Sequence, residues 1–353
     1  MGINVYVHLY LSRLKWLEAN WRGGREMGLL HKTSFIYKDV YKSFADLYNM
    51  QVNRDEVCVL IPALNEEPTI GPLLDQLKIQ GFSDIIVVDG RSTDKTRDIA
   101  RAKGARIYIQ KGRGKGAALI EVITSPDLIE KPYVLMLDAD GTNAPEDDLV
   151  MLTPLFNGAD QVIGNRLIDT NSDAFHRLNR YGNKILNHMF KVTHGKYLSD
   201  ILSGYRAFKT TSLKRMHLTE QGFGIETELA AESVRQDHTV VIVPVSYGVR
   251  RGTATKLNPF SDGIKIGLTM IKLSRTNNPL IYFGMIGLIP IFIGGFFSLY
   301  IIFDWFHGIE HVPLMIASTL LIILGTQLIM MALFADLFLS YHREVLLVIR
   351  EKK

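Results

Sequence analysis

The stretch from Tyr133 to Gly141 limits the possible folds of this chain more than any other. It reads Y-V-L-M-L-D-A-D-G, an apolar run that ends in two aspartates one residue apart. An unbroken apolar run of this length is typical of a buried strand in a parallel sheet. Asp138 and Asp140 are therefore expected at the carboxyl end of a central strand, the edge where open α/β sheets bind ligands.

The same two aspartates are candidate metal ligands. Because alternate residues of an extended segment point to one side, Asp138 and Asp140 can face a single ion. Hard oxygen ligands in that pose suit Mg²⁺ or Mn²⁺ that carries a substrate diphosphate. A solvated Asp-x-Asp turn that caps the next helix is the alternative, and the two aspartates alone do not decide between these interpretations.

Apolar runs and helical patterns alternate along the chain from residue 55 onward. This alternation predicts an α/β fold with a doubly wound, mostly parallel sheet. Strands are expected at 57–62, 84–90, 105–110, 133–138, 161–164 and 239–245. Helices are expected at 69–80, 92–103, 112–125, from 145, at 173–192 and at 222–234.

Acidic residues follow three of the expected strands. They are Glu66, Asp89 and the pair Asp138 and Asp140. A single acid in this place is commonly a helix cap. Acids at three strand ends instead favour a site for a nucleotide and its metal.

A glycine-rich segment, Lys111 to Ala118, precedes one of the expected helices. It is not a P-loop, because no Ser or Thr follows Lys115 and the glycine spacing differs. A glycine-rich helix start can still let backbone N–H groups approach a phosphate. The alternative is a plain loop with basic residues.

Basic residues dominate the candidate sites of the second half. Arg166 follows the fifth expected strand, where it could pair with a phosphate or cap a helix. The helix expected at 173–192 is basic and amphipathic, so it packs on the sheet or lies at a membrane.

Two acids, Glu226 and Glu228, cannot share one helix face, so one of them is expected to face the site and the other solvent. The loop at 247–257 carries further basic residues that could close over a diphosphate.

The last fifth of the chain is much more apolar than the rest. An amphipathic segment at 258–276 leads into two uncharged stretches, 279–303 and 312–336, each long enough to span a bilayer. A basic tail follows. Because Lys and Arg flank the pair on one side only, the catalytic part and both termini are expected in the cytosol. A buried core hairpin is the alternative.

Composition excludes several classes of function. The net charge of +4 in 353 residues is too small to indicate nucleic-acid binding. The one cysteine, Cys58, forms no disulfide within the chain, lies in an apolar run and is expected in the core. Residues 1–54 show no cleaved signal peptide and form an extension, either an amphipathic helix on the membrane or an accessory helix on the protein.

A family resemblance becomes visible once the motifs are taken together. Residues 55–257 resemble the catalytic domain of glycosyltransferase family 2, and the chain from 55 onward is similar to polyprenyl-phosphate (dolichyl-phosphate) sugar synthases. The chain departs from the family pattern at Gly90, where many members have Asp, and at Asn165, where Ser is usual. The matching segments are Ile61–Glu67, Val88–Thr96, Gly114–Ala118, Asp138–Gly141, Gly164–Arg166, Ser203–Ala207 and Arg251–Leu257.

The resemblance implies a GT-A-type, Rossmann-like sheet and an inverting, metal-dependent sugar transfer. It implies that the nucleotide-sugar donor is bound by one group of residues, namely Pro62, Asn65, Glu66, Asp89, Lys115, Asp138, Arg251 and Lys256. It implies that Asp138 and Asp140 bind Mg²⁺ or Mn²⁺ on the diphosphate. It also implies that Arg166, Ser203 and Arg206 meet the phosphate of a polyprenyl or dolichyl lipid, with Arg206 also counted as catalytic.

The resulting hypothesis has three parts in sequence order after the extension. A glycosyltransferase domain covers 55–257, a helix at the membrane interface covers 258–276, and two transmembrane helices with a basic cytosolic tail cover 277–353. The partners are the donor, the lipid phosphate and the bilayer of a cell membrane or endomembrane, whereas self-association is left open.

Donor and reaction retain alternatives at this stage. UDP-N-acetylglucosamine or UDP-glucose is favoured over GDP-mannose, because Lys256–Gly263 looks more like archaeal-type enzymes that use UDP-sugars. A processive polysaccharide synthase usually carries a Q-x-x-R-W signature and more spans, and neither is found. A sugar-nucleotide pyrophosphorylase would need a different glycine-rich start, and a membrane-tethered binding module would not need the whole set of charged motifs.

Overall fold

The computed structural model describes residues 52–167, 177–250, 252 and 259–351. The expectation of a helix near the N-terminus falls outside these residues. So do two residues expected to bind the donor, Arg251 and Lys256.

One seven-stranded sheet organises the described chain. Its order is β3-β2-β1-β4-β6-β5-β7. Only β6 runs antiparallel to its two neighbours, and the other pairings are parallel. The doubly wound, mostly parallel sheet is therefore confirmed. The strands are β1 Val57–Ala63, β2 Asp84–Asp89, β3 Arg106–Ile109, β4 Tyr133–Met136, β5 Gln161–Asn165, β6 Arg206–Lys209 and β7 Val240–Pro244.

Helices pack on both faces of this sheet and continue beyond it. Those within the sheet domain are α1 Glu67–Ile79, α2 Thr96–Ala102, α3 Lys115–Thr124, α4 Asp148–Phe156, α5 Arg177–His194, α6 Thr210–Lys214 and α7 Ile225–Arg235. The last three are α8 Pro259–Asn277, α9 Pro279–Trp305 and α10 Val312–Glu351.

The central strands are buried on both faces, which explains why they read as apolar runs. In β1, Val59 and Ile61 join the core under α1, whereas Cys58 and Leu60 join the core under α3. Cys58 is thus the core residue that the sequence predicts, and burial raises the pKa of its thiol to about 12.

Strand β6 is not among the strands that the sequence predicts. It has four residues, R-A-F-K, in which polar residues flank a two-residue apolar centre. It inserts between β4 and β5, with Ala207 opposite Leu135 and Arg206 opposite Met136. Strand β4 also ends earlier than predicted, at Met136, so Asp138 lies two residues beyond the strand rather than in it.

Helices α5 and α8 each expose an apolar stripe. On α5, Tyr181 and Ile185 are exposed whereas Asn183 and Asn187 are buried, so part of its polar side faces the protein. On α8, exposed residues follow each other at helical spacing on the side opposite buried Ile266. The two exposed apolar stripes consist of Tyr181, Ile185 and Val192 on α5, and of Phe260, Ile264 and Leu268 on α8.

Helices α9 and α10 form the C-terminal hairpin. The spans Pro279–Trp305 and Val312–Tyr341 have mean hydropathies of 2.3 and 2.1, which makes both long and apolar enough to cross a membrane. In each, only 11% of the most apolar window is buried, unlike the core hairpin of a soluble protein. The helices approach closely where Gly287 meets the backbone of Gly325. Only Asn278 separates α8 from α9.

Candidate functional site

The acids that follow three strands meet at one edge of the sheet. Strands β2, β1 and β4 are neighbours in that order, so the residues after them lie side by side. The prediction of a shared acidic edge is confirmed by this order. The carboxylates of Glu66, Asp138 and Asp140 are joined there to Arg250 and Lys115, and Asp89 pairs with Arg97.

Asp138 contacts three other segments of the chain, at Lys115, Asn143 and Gly204. Its carboxylate accepts from Lys115 Nζ at 2.5 Å, and the same ammonium lies 2.6 Å from Glu226 Oε1. Its backbone N–H donates to Asn143 Oδ1 at 3.0 Å. A Cβ at Gly204 would overlap the Asp138 carboxylate, so the glycine is what lets the two segments approach.

Asp140 faces a different cation. Its Oδ1 accepts from both the backbone N–H and the hydroxyl of Thr142, at 3.1 and 2.6 Å. Its Oδ2 accepts from Arg250 Nη1 at 3.1 Å, and Arg250 Nη2 donates to Glu66 Oε1 at 2.5 Å. One guanidinium therefore bridges the acids that follow β1 and β4.

The two aspartates differ in their electrostatics. Burial raises the pKa of Asp140, and the neighbouring Asp138 charge raises it further. Burial would also raise the pKa of Asp138, but the Lys115 ammonium lowers it below the ordinary range. Asp138 is thus the more strongly ionised of the pair, because it has the closer cation.

The loops after β1 and β2 are joined by hydrogen bonds. Asn65 has a positive φ of 49°, and its Oδ1 accepts from the backbone N–H of Thr93 at 2.8 Å. The backbone N–H of Glu66 donates to Thr96 Oγ1 at 2.8 Å. Pro62, in β1, pairs with Val88 of β2. Pro62, Asn65 and Glu66, which are predicted to bind the nucleoside, therefore lie close together at the carboxyl ends of β1 and β2.

Asp89 is fully buried at the end of β2. Both carboxylate oxygens accept from the backbone N–H of Ser92, at 3.2 and 3.1 Å, and Arg97 Nε lies 3.4 Å away. In this structure Asp89 therefore shapes the turn that leads to α2. Its contact with a nucleoside stays a prediction.

The carboxylate oxygens of Asp138 and Asp140 fit a divalent cation that is also bound by the substrate. Within the described residues, no three His, Cys, Asp or Glu side chains are arranged to hold a metal by themselves. Mg²⁺ typically takes one or two carboxylates and completes its shell with substrate phosphates and water. Two aspartates at a ligand-binding sheet edge match that pattern rather than an all-protein cage.

Arg166 and Asp200 form a buried ion pair beside the acidic edge. Arg166 Nε and Nη2 donate to the two oxygens of Asp200 at 2.8 and 2.9 Å. Asn183 of α5 donates to Asp200 Oδ1 at 3.1 Å, and the guanidinium stacks over Tyr247 with a centroid distance of 5.2 Å. Although burial alone would lower the pKa of Arg166, Asp200 raises it. The pair positions a permanent cation next to Asp138.

Arg206 is completely buried, although the sequence suggests a phosphate-binding residue. Its Nε donates to the Ser203 carbonyl at 2.8 Å and its Nη2 to the Ile201 carbonyl at 2.6 Å. Burial lowers the pKa of Arg206 to about 10, against the opposing charges of Glu226 and Asp200. Among the described residues, its Nη1 and the Ser203 hydroxyl have no hydrogen-bond partner.

Glu226 and Glu228 of α7 both face the protein, so the expectation that one of them points to solvent is wrong. Glu226 pairs with Lys115, whereas Glu228 accepts from the backbone N–H groups of Thr219 and Glu220 at 2.9 and 2.8 Å. These two residues, two positions apart, are both buried because the 219–222 segment packs over the helix start. That segment packs against Gly114 and Gly116, where any Cβ would overlap its carbonyls.

Three described residues take part in the site although the family resemblance assigns them no role. Arg250 bridges Glu66 and Asp140, Glu226 holds Lys115, and Asp200 holds Arg166. The sequence shows each of them beside a motif, but only the fold shows which side chains point inward.

The mostly parallel sheet with one inserted antiparallel strand, and the acidic edge beside it, define the GT-A class of fold. The model of the family described as glycosyl transferase family 2 matches residues 58–216. Glycosyltransferase AglJ of Haloferax volcanii is 43% identical over 299 residues, which cover 84% of this chain and 98% of that protein. The chain belongs to glycosyltransferase family 2.

Further relatives share shorter stretches. A dolichyl-phosphate hexose transferase of Haloferax volcanii is 32% identical over 62% of this chain and 94% of its own length. A UDP-N-acetylglucosamine–dolichyl-phosphate N-acetylglucosaminyltransferase of Methanococcus voltae is 26% identical over 62% of this chain and 97% of its own.

A solved structure shares the fold. Glucosyl-3-phosphoglycerate synthase of Mycobacterium tuberculosis, in complex with Mn²⁺, UDP and glucosyl-3-phosphoglycerate, has a TM-score of 0.50 at 23% identity. The match covers 63% of this chain and 79% of that one.

Proposed function

We propose that the protein transfers a sugar, with inversion, from a nucleotide-diphosphate donor to the phosphate of a polyprenyl or dolichyl lipid at the cytosolic membrane face. UDP-N-acetylglucosamine and UDP-glucose are the favoured donors. The observation that carries the proposal is one site in which carboxylates pair with the half-buried cations of Lys115 and Arg250, on a domain whose helix α8 is separated by Asn278 alone from an apolar hairpin.

The donor half of the reaction is assigned to the acidic edge. Asp138 and Asp140 are proposed to hold Mg²⁺ or Mn²⁺, which when bound neutralises the charge of the leaving diphosphate. Asn65 and the buried Glu66 are proposed to face the nucleoside, on the surface between β1 and β2. Lys115 supplies a cation beside the leaving group, since its ammonium already lies at Asp138.

The acceptor half is assigned to the buried arginines. A phosphate monoester is already an anion at neutral pH, so the acceptor needs no strong general base. Arg166 is the cation nearest to Asp138 on this side, and Arg206 and Ser203 lie behind it with unpartnered polar atoms among the described residues. In-line attack of a phosphate oxygen at the anomeric carbon then gives a β-linked sugar from an α-linked donor.

The membrane half is assigned to the exposed apolar stripes and the C-terminal hairpin. The stripes of α5 and α8 are suited to lie in the headgroup region of a bilayer, and α8 leads directly into α9. A lipid acceptor must be reached from the bilayer surface. Helix α5 also carries Asn183, which donates to Asp200, the ion-pair partner of Arg166. The basic residues flanking the hairpin on one side favour a cytosolic domain.

The favoured donors have two supports. One is the Lys256–Gly263 stretch in the sequence. The other is that a relative from Methanococcus voltae is named for UDP-N-acetylglucosamine and dolichyl phosphate. GDP-mannose remains the alternative donor, and the assay below includes it.

The test is a transfer assay with the full chain in detergent. Purified protein is incubated with polyprenyl phosphate, Mn²⁺ or Mg²⁺, and UDP-N-acetylglucosamine, UDP-glucose or GDP-mannose in separate reactions. We expect a lipid-linked sugar by mass spectrometry with one donor, and none from Asp140→Ala. Free nucleotide without lipid product would reassign the acceptor, and no turnover of any donor would refute the enzymatic proposal in favour of a binding module.

A further inference from the structure

The carboxylates proposed to bind metal are already paired with basic side chains of the protein. Asp138 contacts the Lys115 ammonium, and Asp140 contacts the Arg250 guanidinium. Each of these cations also touches a second acid: Lys115 contacts Glu226 at 2.6 Å, and Arg250 contacts Glu66 at 2.5 Å. The acidic edge is therefore charge-compensated before any ligand arrives.

The wider site is also nearly balanced. Among the described residues, five carboxylates share it with four cations. The carboxylates are those of Glu66, Asp138, Asp140, Asp200 and Glu226, and the cations are those of Lys115, Arg166, Arg206 and Arg250. A divalent cation alone would add two positive charges to this set, and the diphosphate of a nucleotide sugar alone would add two negative charges. The two together add none, so a low-dielectric site of this kind accepts them best as a pair.

We propose that Lys115 and Arg250 are exchangeable counter-ions of the metal-binding aspartates. In the free protein they occupy Asp138 and Asp140. On donor binding they leave these carboxylates to the metal and turn to the donor diphosphate. This inference rests on the proposed function and adds an order to it: metal and donor bind together, because neither alone displaces the resident cations.

The local structure allows this exchange with little movement. Glu226 keeps Lys115 in place when Asp138 is taken, because the ammonium lies between the two carboxylates. The backbone around Lys115 is fixed, since Gly114 and Gly116 pack against the carbonyls of Glu220 and Gln221. Lys115 therefore changes partners without a change of loop position.

The backbone at Arg250 is less constrained than the backbone at Lys115. Arg250 lies outside regular structure, after β7, and is half-buried rather than enclosed. Its guanidinium can leave Asp140 while the pair with Glu66 is kept or broken. A planar fork of this kind also matches the bidentate geometry of a phosphate.

The first experiment measures binding without any turnover. The full chain in detergent, without lipid phosphate, is titrated with Mn²⁺ alone, followed by the electron paramagnetic resonance of free Mn²⁺. The titration is repeated in the presence of UDP-glucose, UDP-N-acetylglucosamine or GDP-mannose. We expect Mn²⁺ to bind at least about tenfold more tightly with the accepted donor than alone. Equal affinity with and without every donor would overturn the proposal.

The second experiment removes the counter-ions and uses metal alone. Lys115→Gln and Arg250→Gln should each bind Mn²⁺ without donor about tenfold more tightly than the unchanged protein, because a competing charge is gone. Lys103→Gln, which loses a remote cation paired with Asp75, is the matched control and should bind Mn²⁺ like the unchanged protein. Unchanged or weaker Mn²⁺ binding by both site variants refutes the exchange.

A third variant distinguishes exchange from a general change of charge. Glu226→Gln removes a negative charge but leaves Lys115 with Asp138 as its only partner acid, so Mn²⁺ alone should bind no better than to the unchanged protein. Melting temperatures in the same detergent confirm that each variant is folded, and Arg250→Gln carries the test if Lys115→Gln is not. A protein that passes these tests but forms no lipid-linked sugar would retain the exchange and lose only the proposed reaction.

Discussion

The two sides of the site are built from opposite charges and in opposite ways. On the side of β1, β2 and β4, acids follow the strands and are fixed by backbone N–H groups and hydroxyls of nearby loops. On the side of β5 and β6, arginines are buried and are fixed by Asp200 and by backbone carbonyls. The acidic side suits a metal and a diphosphate, and the basic side suits a second phosphate.

The comparison suggests how one site would receive the two anionic substrates of the proposed reaction. On the acidic side, Lys115 and Arg250 already compensate the carboxylates, so a metal cation and a diphosphate are expected to enter together. The basic side carries permanent cations, because arginine stays protonated even when burial lowers its pKa to about 10. Changes on the two sides should therefore affect different substrates.

The largest effect is expected from the acidic side. Asp138→Asn removes the carboxylate that is paired with Lys115 and should lower the rate of sugar transfer by about a thousandfold, since charge stabilisation of the leaving group is lost. The measurement is lipid-linked product per unit time. Asp127→Asn, at an exposed acid in a remote loop, is the matched control. A residual rate within tenfold of that of the unchanged protein would contradict the assignment of the metal to Asp138.

A pH effect on stability is expected on the basic side, at the end of α5. Burial lowers the pKa of His194 to about 4, below its ordinary value of 6.5. The unfolded chain therefore binds this proton first, and stability should fall by about 3 kcal/mol as pH drops from 6.5 to 4.

Denaturant titrations across that range measure the effect. His194→Gln should lose most of the pH dependence, whereas His188→Gln, on the exposed side of the same helix, should keep it. An identical pH dependence in His194→Gln would show that other groups cause it.

A smaller and more selective effect is expected at Arg166. Arg166→Gln leaves Asp200 without its bidentate partner and removes the cation nearest to Asp138 on this side. The KM for lipid phosphate should rise about thirtyfold, whereas the KM for the donor should change by less than about twofold. Steady-state kinetics with each substrate varied in turn measure both. Equal increases in the KM for lipid phosphate and the KM for the donor would contradict the assignment of the two substrates to separate sides of the site.

The smallest effect is expected where the two sides touch. Gly204→Ala places a methyl group against the Asp138 carboxylate and should lower kcat about tenfold, because the carboxylate has to move away from the methyl group and the proposed metal ligand is then misplaced. Gly182→Ala in α5 meets no atom within 4 Å and should leave kcat unchanged. Similar rates for both variants would mean that the contact at Gly204 is not needed for transfer.

The acidic side could be predicted from the sequence, and the reason is physical. Parallel strands buried on both faces read as apolar runs, and their ends fix where Glu66, Asp138 and Asp140 lie relative to each other. The prediction could not give the partners of these acids. Arg250 reaches them from a loop that follows β7, more than a hundred residues along the chain from Asp140.

The basic side was much less predictable. Strand β6 has polar residues at both ends, and its place in the sheet is defined by its pairing with β4 and β5, which are distant in sequence. Burial of Arg206 depends on carbonyls of the 201–203 loop, which no periodicity reveals. In α5, Asn183 and Asn187 are buried because Asn183 donates to Asp200 and Asn187 accepts from the backbone N–H of Ile201, contacts that the helical pattern does not reveal.

We expect the junction of α8 and α9 to make bilayer thickness a variable of the enzyme. Only Asn278 separates the two helices. Buried Asn277 donates to the Ala231 carbonyl of α7, and the first turn of that helix carries Glu226, the acid that pairs with Lys115. In the proposed membrane-spanning arrangement, a hairpin longer than the local hydrocarbon core must tilt. With no flexible linker to absorb that tilt, hydrophobic mismatch in the host membrane acts as a torque on the catalytic domain itself.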